Sequence, residues 1–249
     1  MMDSKTLGIE WIAFDADDTL WENEKVYRQA RTRFLEILSH YNLKDGVEDH
    51  VHQVEVGNLP YYGYGVMSFI LSLIETGVTL TEGEIHGEHV QEMLSLGKEM
   101  LSTTPEVFPG VPEMLDHLSS RYPLLLITKG DLFHQQRKVA ESGLGEYFRH
   151  IEVVAEKKPS VYQRVLRRHQ ISPGRFLMVG NSLRSDIQPV VALGGWAVHV
   201  SDHASWSHED QALTAGERER VIDVGRVQQV ADVLLSSWAG PGKTTGEDR

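Results

Sequence analysis

The chain has 249 residues, of which 24 are Lys or Arg and 36 are Asp or Glu. It contains no cysteine, and this excludes a disulfide framework, an Fe–S cluster and a thiolate zinc site. The formal net charge of −12 argues against a nucleic-acid partner, because binding to a phosphate backbone needs a basic surface. No apolar segment resembles a secretory signal or reaches the roughly 20 residues of a membrane span, so we expect a soluble, cytoplasmic protein without a membrane partner.

Five short runs of apolar residues are predicted to be strands. They lie at residues 10–14, 123–127, 151–155, 175–179 and 196–200. The runs are nearly continuous in apolar residues, which is typical of strands that are covered on both faces. Helical patterns occur between the later runs, at residues 111–120, 132–142, 160–169 and 184–192. This alternation predicts an α/β fold with a Rossmann-like, doubly wound parallel sheet.

A long segment separates the first predicted strand from the second, and it is far longer than a single crossover needs. Four helical patterns occur in it, at residues 25–40, 47–56, 67–76 and 83–101. We therefore predict an inserted α-helical cap domain at residues 21–104, within a core domain formed by residues 1–20 and 105–239. Residues 240–249 lack the apolar residues of a core and are predicted to be a disordered tail.

The first predicted strand ends in a cluster of polar residues, Asp15-Ala16-Asp17-Asp18-Thr19. Polar side chains at the carboxyl end of a central parallel strand lie where doubly wound sheets bind ligands. Two carboxylates two residues apart suit metal-assisted nucleophilic chemistry. An acidic turn that caps the next helix would have a similar composition, because Asp and Thr are common N-caps. The motif alone therefore leaves both interpretations open.

Three further strand ends carry polar groups. Residues 128–130 (TKG) follow the second strand, residues 156–159 (EKKP) the third and residues 180–186 (GNSLRSD) the fourth. Each segment could be a turn or a helix cap. Carboxylates, a hydroxyl, a lysine and an oxygen-rich loop at the same edge of one sheet are instead typical of an active site.

The order of these motifs resembles the haloacid dehalogenase superfamily of hydrolases. The resemblance rests on DxDxT at residues 15–19, Thr128, a Lys-Pro pair and the loop at residues 180–186, and the DxD spacing is similar to the phosphatase branch. The helical insert occupies the place of that family's first type of cap. The resemblance implies a magnesium-dependent phosphatase that acts on a small phosphorylated metabolite, as a monomer or a homodimer.

The resemblance also implies roles for individual residues. Asp15 would be the nucleophile that forms an aspartyl-phosphate, and Asp17 would protonate the leaving oxygen and then activate water. Thr128 and the N–H of Lys129 would bind phosphoryl oxygens. Asp18 is also expected to be a phosphate-binding residue. Positioning and charge stabilisation would supply most of the catalysis.

The resemblance also implies a lysine that offsets the charge of Asp15 and of the phosphate. Two neighbouring lysines, Lys157 and Lys158, follow the third strand. Because the family pattern is a Lys-Pro pair, we predict that Lys158 has this role.

A site with several carboxylates and a phosphate dianion favours a hard cation with oxygen ligands, such as Mg²⁺. The expected ligands are Asp15, the backbone carbonyl of Asp17, and Asn181 or Asp186 in the fourth loop. Asn181 stands where phosphatases of this family more often have Asp, so we expect weaker binding of the ion. Which of the two loop residues contacts the metal stays open.

Two other functions are consistent with the same fold. A 2-haloacid dehalogenase uses the same nucleophile without a metal, but such enzymes lack the second carboxylate that Asp17 provides. A non-catalytic binding protein is the other alternative, although all the expected catalytic groups are present. The substrate stays open, as does whether Tyr61, Tyr62 and Tyr64 contact it or pack within the cap.

Overall fold

The computed structural model describes residues 8–43, 46–201 and 213–235. The predicted tail at residues 240–249 lies outside the described residues. Eight strands are present in the described part of the chain: β1 (Trp11–Phe14), β2 (Trp21–Glu22), β3 (Glu106–Val107), β4 (Leu124–Lys129), β5 (His150–Val154), β6 (Phe176–Gly180), β7 (Trp196–Val200) and β8 (Val221–Val224). Six of them form one parallel sheet in the order β5-β4-β1-β6-β7-β8.

The described residues also form ten α-helices: α1 (Glu24–Leu38), α2 (Val47–Tyr62), α3 (Val66–Leu80), α4 (Gly87–Ser102), α5 (Val111–Ser119), α6 (Leu132–Ser142), α7 (Pro159–Arg168), α8 (Gln188–Val191), α9 (Ala215–Arg218) and α10 (Gln229–Leu234). The predicted α/β class with a doubly wound parallel sheet is confirmed, and the five predicted strands agree with β1 and β4–β7 to within two residues at each end. Throughout the described residues, the helices are too short or too polar to cross a membrane.

Strand β1 lies in the middle of the sheet because its side chains are apolar on both faces. Ile12 and Phe14 belong to one hydrophobic cluster and Ala13 to another, and all three are fully buried. Helices α5 and α10 contribute to the first cluster and α7 to the second, so helices cover both faces of the sheet. The residue that follows β1 therefore emerges at the centre of the sheet edge.

Two parts of the core differ from the prediction. Strand β8 was not predicted, because Val221–Val224 is a short edge strand interrupted by the exposed Asp223. The single helix predicted at residues 184–192 is instead a π-helical turn, Leu183–Ile187, followed by the short α8. Pro189 lies in the first turn of α8, where its missing N–H costs no helical hydrogen bond.

Helices α1–α4 form a unit with its own hydrophobic core, which we call the helical insert. Phe34, Leu73 and Met93 are fully buried at its centre. Strands β2 and β3 pair antiparallel, with Trp21 opposite Val107, and they bring the start and the end of the insert together. The chain thus leaves the sheet edge after β1 and returns beside the same place.

We predict that Leu73→Ala lowers the free energy of unfolding by about 2–5 kcal/mol, because it leaves a cavity among the helices of the insert. Leu71→Ala on the same helix is the matched control, since Leu71 is 40% exposed, and it should cost less than about 1 kcal/mol. Urea unfolding followed by circular dichroism measures both values. Equal losses in the two variants would contradict the assignment of Leu73 to the centre of the insert.

Candidate active site

The carboxyl edge of the sheet and the helical insert enclose a cavity of about 190 Å³. Residues from four strand ends line it, together with residues from the insert. The predicted site residues among them are Asp15, Asp17, Asp18, Thr128, Lys129, Asn181 and Asp186. The volume is below that of pockets that bind drug-sized ligands, which is consistent with a small substrate.

Asp15 follows β1 directly and is 6% exposed. Its N–H donates to the carbonyl of Val179 at 2.8 Å, which continues the pairing of β1 with β6 and fixes the backbone of Asp15. The hydroxyl of Thr19 donates to Asp15 Oδ2 at 3.2 Å, and Lys157 Nζ contacts Asp15 Oδ1. Burial, reinforced by Asp186 and opposed by Lys157, raises the pKa of Asp15 to about 7. The carboxylate is therefore held in one orientation in a site with excess negative charge.

The lysine beside Asp15 is Lys157, and the prediction of Lys158 is wrong. Lys157 Nζ bridges Asp15 and Asp186, at 2.6 Å from Asp186 Oδ1. Burial alone would lower the pKa of Lys157, but the two carboxylates raise it above its ordinary value. The side chain of Lys158 is 54% exposed and pairs with Glu156 at 2.7 Å.

The backbone conformation before α7 explains this correction. Lys158 has extended backbone angles, φ −142° and ψ 163°, just before Pro159 begins the helix. Neighbouring side chains of an extended segment point to opposite sides. The lysine adjacent to the proline therefore points outward, and the lysine before it points into the site.

Asp17 faces a different set of groups from Asp15. Its Oδ1 accepts hydrogen bonds from Trp21 Nε1 at 2.6 Å and from Lys138 Nζ at 2.5 Å, and its Oδ2 accepts from Gln135 Nε2 at 2.9 Å. Burial would raise the pKa of Asp17, but Lys138 and the hydrogen bonds hold it below its ordinary value. The motif thus contains two carboxylates in opposite electrostatic environments.

Lys138 and Gln135 were not predicted as site residues. They lie three residues apart on α6, which starts just after the Thr128 strand end, so they share one face of that helix. Both are buried, and Gln135 Nε2 also donates to Thr128 Oγ1 at 2.9 Å. In the sequence, the only sign of their role is that a lysine and a glutamine follow the strand that ends at Thr128. Only the packing of α6 shows which of its faces meets the site.

Thr128 and Lys129 end β4 at the floor of the cavity. Thr128 is 1% exposed, and both residues line the cavity. Lys129 Nζ donates to Ser185 Oγ at 3.0 Å and lies 3.7 Å from the centre of the Tyr64 ring. Tyr64 is therefore the cavity-lining member of the three tyrosines. Tyr61 and Tyr62 are 81% and 53% exposed and lie outside the lining of this cavity.

Asp18 supports the start of the insert. Its backbone is left-handed with φ 59°, and its Oδ1 accepts hydrogen bonds from the N–H groups of Asn23 and Glu24, both at 2.9 Å. The N–H of Asp18 donates to the carbonyl of Trp21 at 2.8 Å. The N–H and one carboxylate oxygen of Asp18 thus hold the turn that leads into α1, and the predicted binding of phosphate by Asp18 stays a prediction.

The oxygen atoms suited to a hard cation lie around Thr19. Its hydroxyl is within hydrogen-bond distance of Asp15 Oδ2 and of Asn181 Oδ1, at 3.2 and 3.3 Å, so both oxygens are neighbours of Thr19. Asp186 instead contacts Lys157 through Oδ1 and accepts the Ser182 N–H through Oδ2 at 3.1 Å. A carboxylate and an amide oxygen near the same hydroxyl are ligand types that fit Mg²⁺. Among the described residues, no group of three or more His, Cys, Asp and Glu side chains is placed to hold a metal ion, at this site or elsewhere.

A buried carboxylate paired with a lysine, at the carboxyl edge of a parallel sheet and under a helical insert, defines a candidate hydrolase site. The model of the haloacid dehalogenase-like hydrolases matches residues 9–194, and the chain belongs to this family. The resemblance inferred from the sequence motifs is thus confirmed.

Individual relatives agree with this assignment. The crystal structure of a haloacid dehalogenase-like family hydrolase from Xanthomonas campestris is 40% identical, with a TM-score of 0.78 over 89% of this chain and 88% of that one. N-acylneuraminate-9-phosphatase from Rattus norvegicus is 28% identical over 189 residues, 71% of this chain and 76% of that protein. Glyceraldehyde 3-phosphate phosphatase from Methanothermobacter thermautotrophicus is 24% identical over 239 residues, 90% of this chain and 98% of that protein.

We predict that Gly180→Ala destabilises the site, because a Cβ at the end of β6 would overlap the buried carboxylate of Asp186. The free energy of unfolding should fall by about 1–3 kcal/mol, the usual cost of overpacking. Gly174→Ala is the matched control, since a Cβ there meets no atom within 4 Å. Urea unfolding of both variants measures the difference. A Gly180 variant as stable as the Gly174 variant would show that Asp186 can move away from Lys157 without cost.

Proposed function

We propose that this protein is a magnesium-dependent phosphatase that hydrolyses a small phosphomonoester through an aspartyl-phosphate intermediate. The observation that carries the proposal is the contact of Lys157 with Asp15 in the cavity beneath the helical insert, because it combines a positioned nucleophile with a cation for the phosphoryl group. The phosphatases among the relatives support the same activity.

Asp15 would act as the nucleophile. Lys157 and Thr19 hold its two oxygens, so the carboxylate needs little reorientation before it attacks phosphorus. The bond from phosphorus to the alcohol oxygen breaks as the bond to Asp15 forms. Lys157 offsets the charge of the phosphoryl oxygens, and the hydroxyl of Thr128, which accepts from Gln135, donates to one of them.

Asp17 would handle the protons of both steps. In its protonated form Asp17 gives a proton to the leaving alcohol, and the carboxylate that remains then takes a proton from the water that attacks the aspartyl-phosphate. Lys138 and Trp21 stabilise this carboxylate, so they favour release of the proton to the alcohol and leave the base ready for the second step. Lys138 and Trp21 are thus positioning residues for Asp17.

Asp15 and Asn181 would hold the magnesium ion, with the backbone carbonyl of Asp17 as the third protein ligand expected from the motif. The ion would supply positive charge that offsets the phosphate and the carboxylates. Asn181 provides an oxygen without charge, so we expect modest affinity for the ion.

The helical insert, residues 21–104 in the predicted division, would act as the cap of this site. It forms the roof of the cavity through residues such as Tyr27, Tyr64 and Phe69. A cavity covered in this way would admit a small metabolite and limit the access of bulk solvent to the site. The net charge of −12 would disfavour a nucleic acid as a partner.

Hydrolysis of p-nitrophenyl phosphate tests the proposed function. We expect phosphate release that depends on added Mg²⁺ and disappears with EDTA. In Asp15→Asn, kcat/KM should fall by about a thousandfold or more, because the nucleophile is lost. Asp116→Asn, the same change at an exposed position of α5, is the control for contaminating phosphatase. Equal activity in the two variants, or release of halide from a 2-haloacid without metal, would contradict the proposal.

The two neighbouring lysines provide a second test of the chemistry. Lys157→Met should lower kcat/KM at least about a hundredfold, because Asp15 and Asp186 then repel each other and the phosphate loses its cation. Lys158→Met should stay within about twofold of the wild-type value, since its ammonium group is exposed and contacts only Glu156 among the described residues. The reverse result would restore the role predicted for Lys158.

A further inference from the structure

The helical insert contributes its own buried ion pair to the cavity. Arg31 on α1 and Glu55 on α2 form a contact of 2.8 Å between Nη2 and Oε2. The Glu55 side chain is 7% exposed and the Arg31 side chain 30% exposed, and both line the cavity that holds Asp15. The pair lies on the insert side of the cavity, where the alcohol part of a substrate bound at Asp15 would extend.

Glu55 has a second oxygen that the described residues leave without a donor. Its Oε1 is buried and has no hydrogen-bond partner among them. A buried polar oxygen without a partner is unfavourable, so a ligand that donates a hydrogen bond there would be stabilised. Burial raises the pKa of Glu55 above its ordinary value, and Arg31 opposes this only in part. A hydroxyl group fits either protonation state, because it both donates and accepts.

An aromatic wall stands beside this oxygen. The guanidinium of Arg31 lies 5.4 Å from the centre of the Phe69 ring, and the Tyr27 ring packs edge-on against Phe69 with centroids 5.0 Å apart. Both rings line the cavity. A ligand with C–H groups on one side and hydroxyls on the other matches this combination of ring and carboxylate.

The charges on the insert side disfavour a leaving group with its own carboxylate. Glu24 also lines the cavity, and burial together with Asp18 raises its pKa to about 7. The guanidinium of Arg31 is already engaged by Glu55, so a further carboxylate would gain no new cation from this pair and would meet two acidic side chains, whereas an uncharged hydroxylated chain would not.

We propose that Glu55, oriented by Arg31, accepts a hydrogen bond from a hydroxyl of the leaving alcohol, so that the enzyme selects phosphate monoesters of uncharged, polyhydroxylated alcohols. This inference rests on the proposed phosphatase function. Glu55 is then a specificity-determining residue on the insert, separate from the groups at the sheet edge that act on phosphorus.

Three four-carbon phosphate esters test the proposal: n-butyl phosphate, erythritol 4-phosphate and erythronate 4-phosphate. They share chain length and differ only in hydroxyl groups or in one carboxylate. We expect kcat/KM of the wild type to be at least about tenfold higher for the erythritol ester than for either of the others, the effect of one hydrogen bond to a charged group. In Glu55→Leu, the preference for the erythritol ester over the butyl ester should fall about tenfold. Glu55→Gln keeps one side-chain oxygen, so its preference should lie between those of the wild type and Glu55→Leu.

Glu48→Gln is the matched control, because Glu48 is exposed on the same helix, and it should keep the wild-type preference. If Glu55→Leu does not fold, Arg31→Lys tests the same pair and should also reduce the preference. A wild type that cleaves the butyl and erythritol esters equally, or Glu55 variants that slow both equally, would overturn the role of Glu55 and leave the phosphatase intact. A wild type that cleaves none of these esters and no p-nitrophenyl phosphate would refute the proposed function itself.

Discussion

The site depends on one buried cation, Lys157, held between two buried carboxylates. Removing these charges from water is costly, and only their mutual contacts and further hydrogen bonds compensate for it. Each group comes from a different part of the sheet edge: Asp15 follows β1, Lys157 precedes α7, and Asp186 lies in the π-helical turn after β6. The parallel sheet is therefore the frame that brings the three together, and Gly180 leaves the space that Asp186 occupies.

One cation cannot neutralise two carboxylates, and this imbalance suits the proposed chemistry. The excess negative charge, added to burial, raises the pKa of Asp15, and a bound divalent cation would offset this charge and favour the ionised carboxylate that the proposed nucleophile requires. Asp17 is only two residues away, but Lys138 gives it a separate counter-charge and lowers its pKa. Carboxylates whose environments differ in this way can take different roles, one as a nucleophile and one in proton transfer.

The sheet and most of the site could be predicted from the sequence because they depend on local patterns. Apolar runs mark buried strands, and polar residues directly after them must meet at one edge. The choice between Lys157 and Lys158 failed because it depends on the direction of two side chains in an extended segment. Lys138 could not be assigned because the rotation of α6 about its axis is set by packing. Asp18 stands within a catalytic motif, yet its left-handed backbone turns it to the start of α1.

The proposed catalytic groups depend on local sequence patterns, whereas the proposed specificity groups depend on the packing of helices. The groups that would act on phosphate follow strands, and the short motifs that encode them are readable along the chain. Arg31, Glu55 and Phe69 lie on three different helices, and only the packing of those helices brings them to one wall of the cavity. The insert has its own hydrophobic core and is linked to the sheet by the short β2–β3 pair, so packing within the insert sets the positions of these three residues. In the proposed function, selection of the leaving group would therefore depend on a different part of the fold from the chemistry at phosphorus.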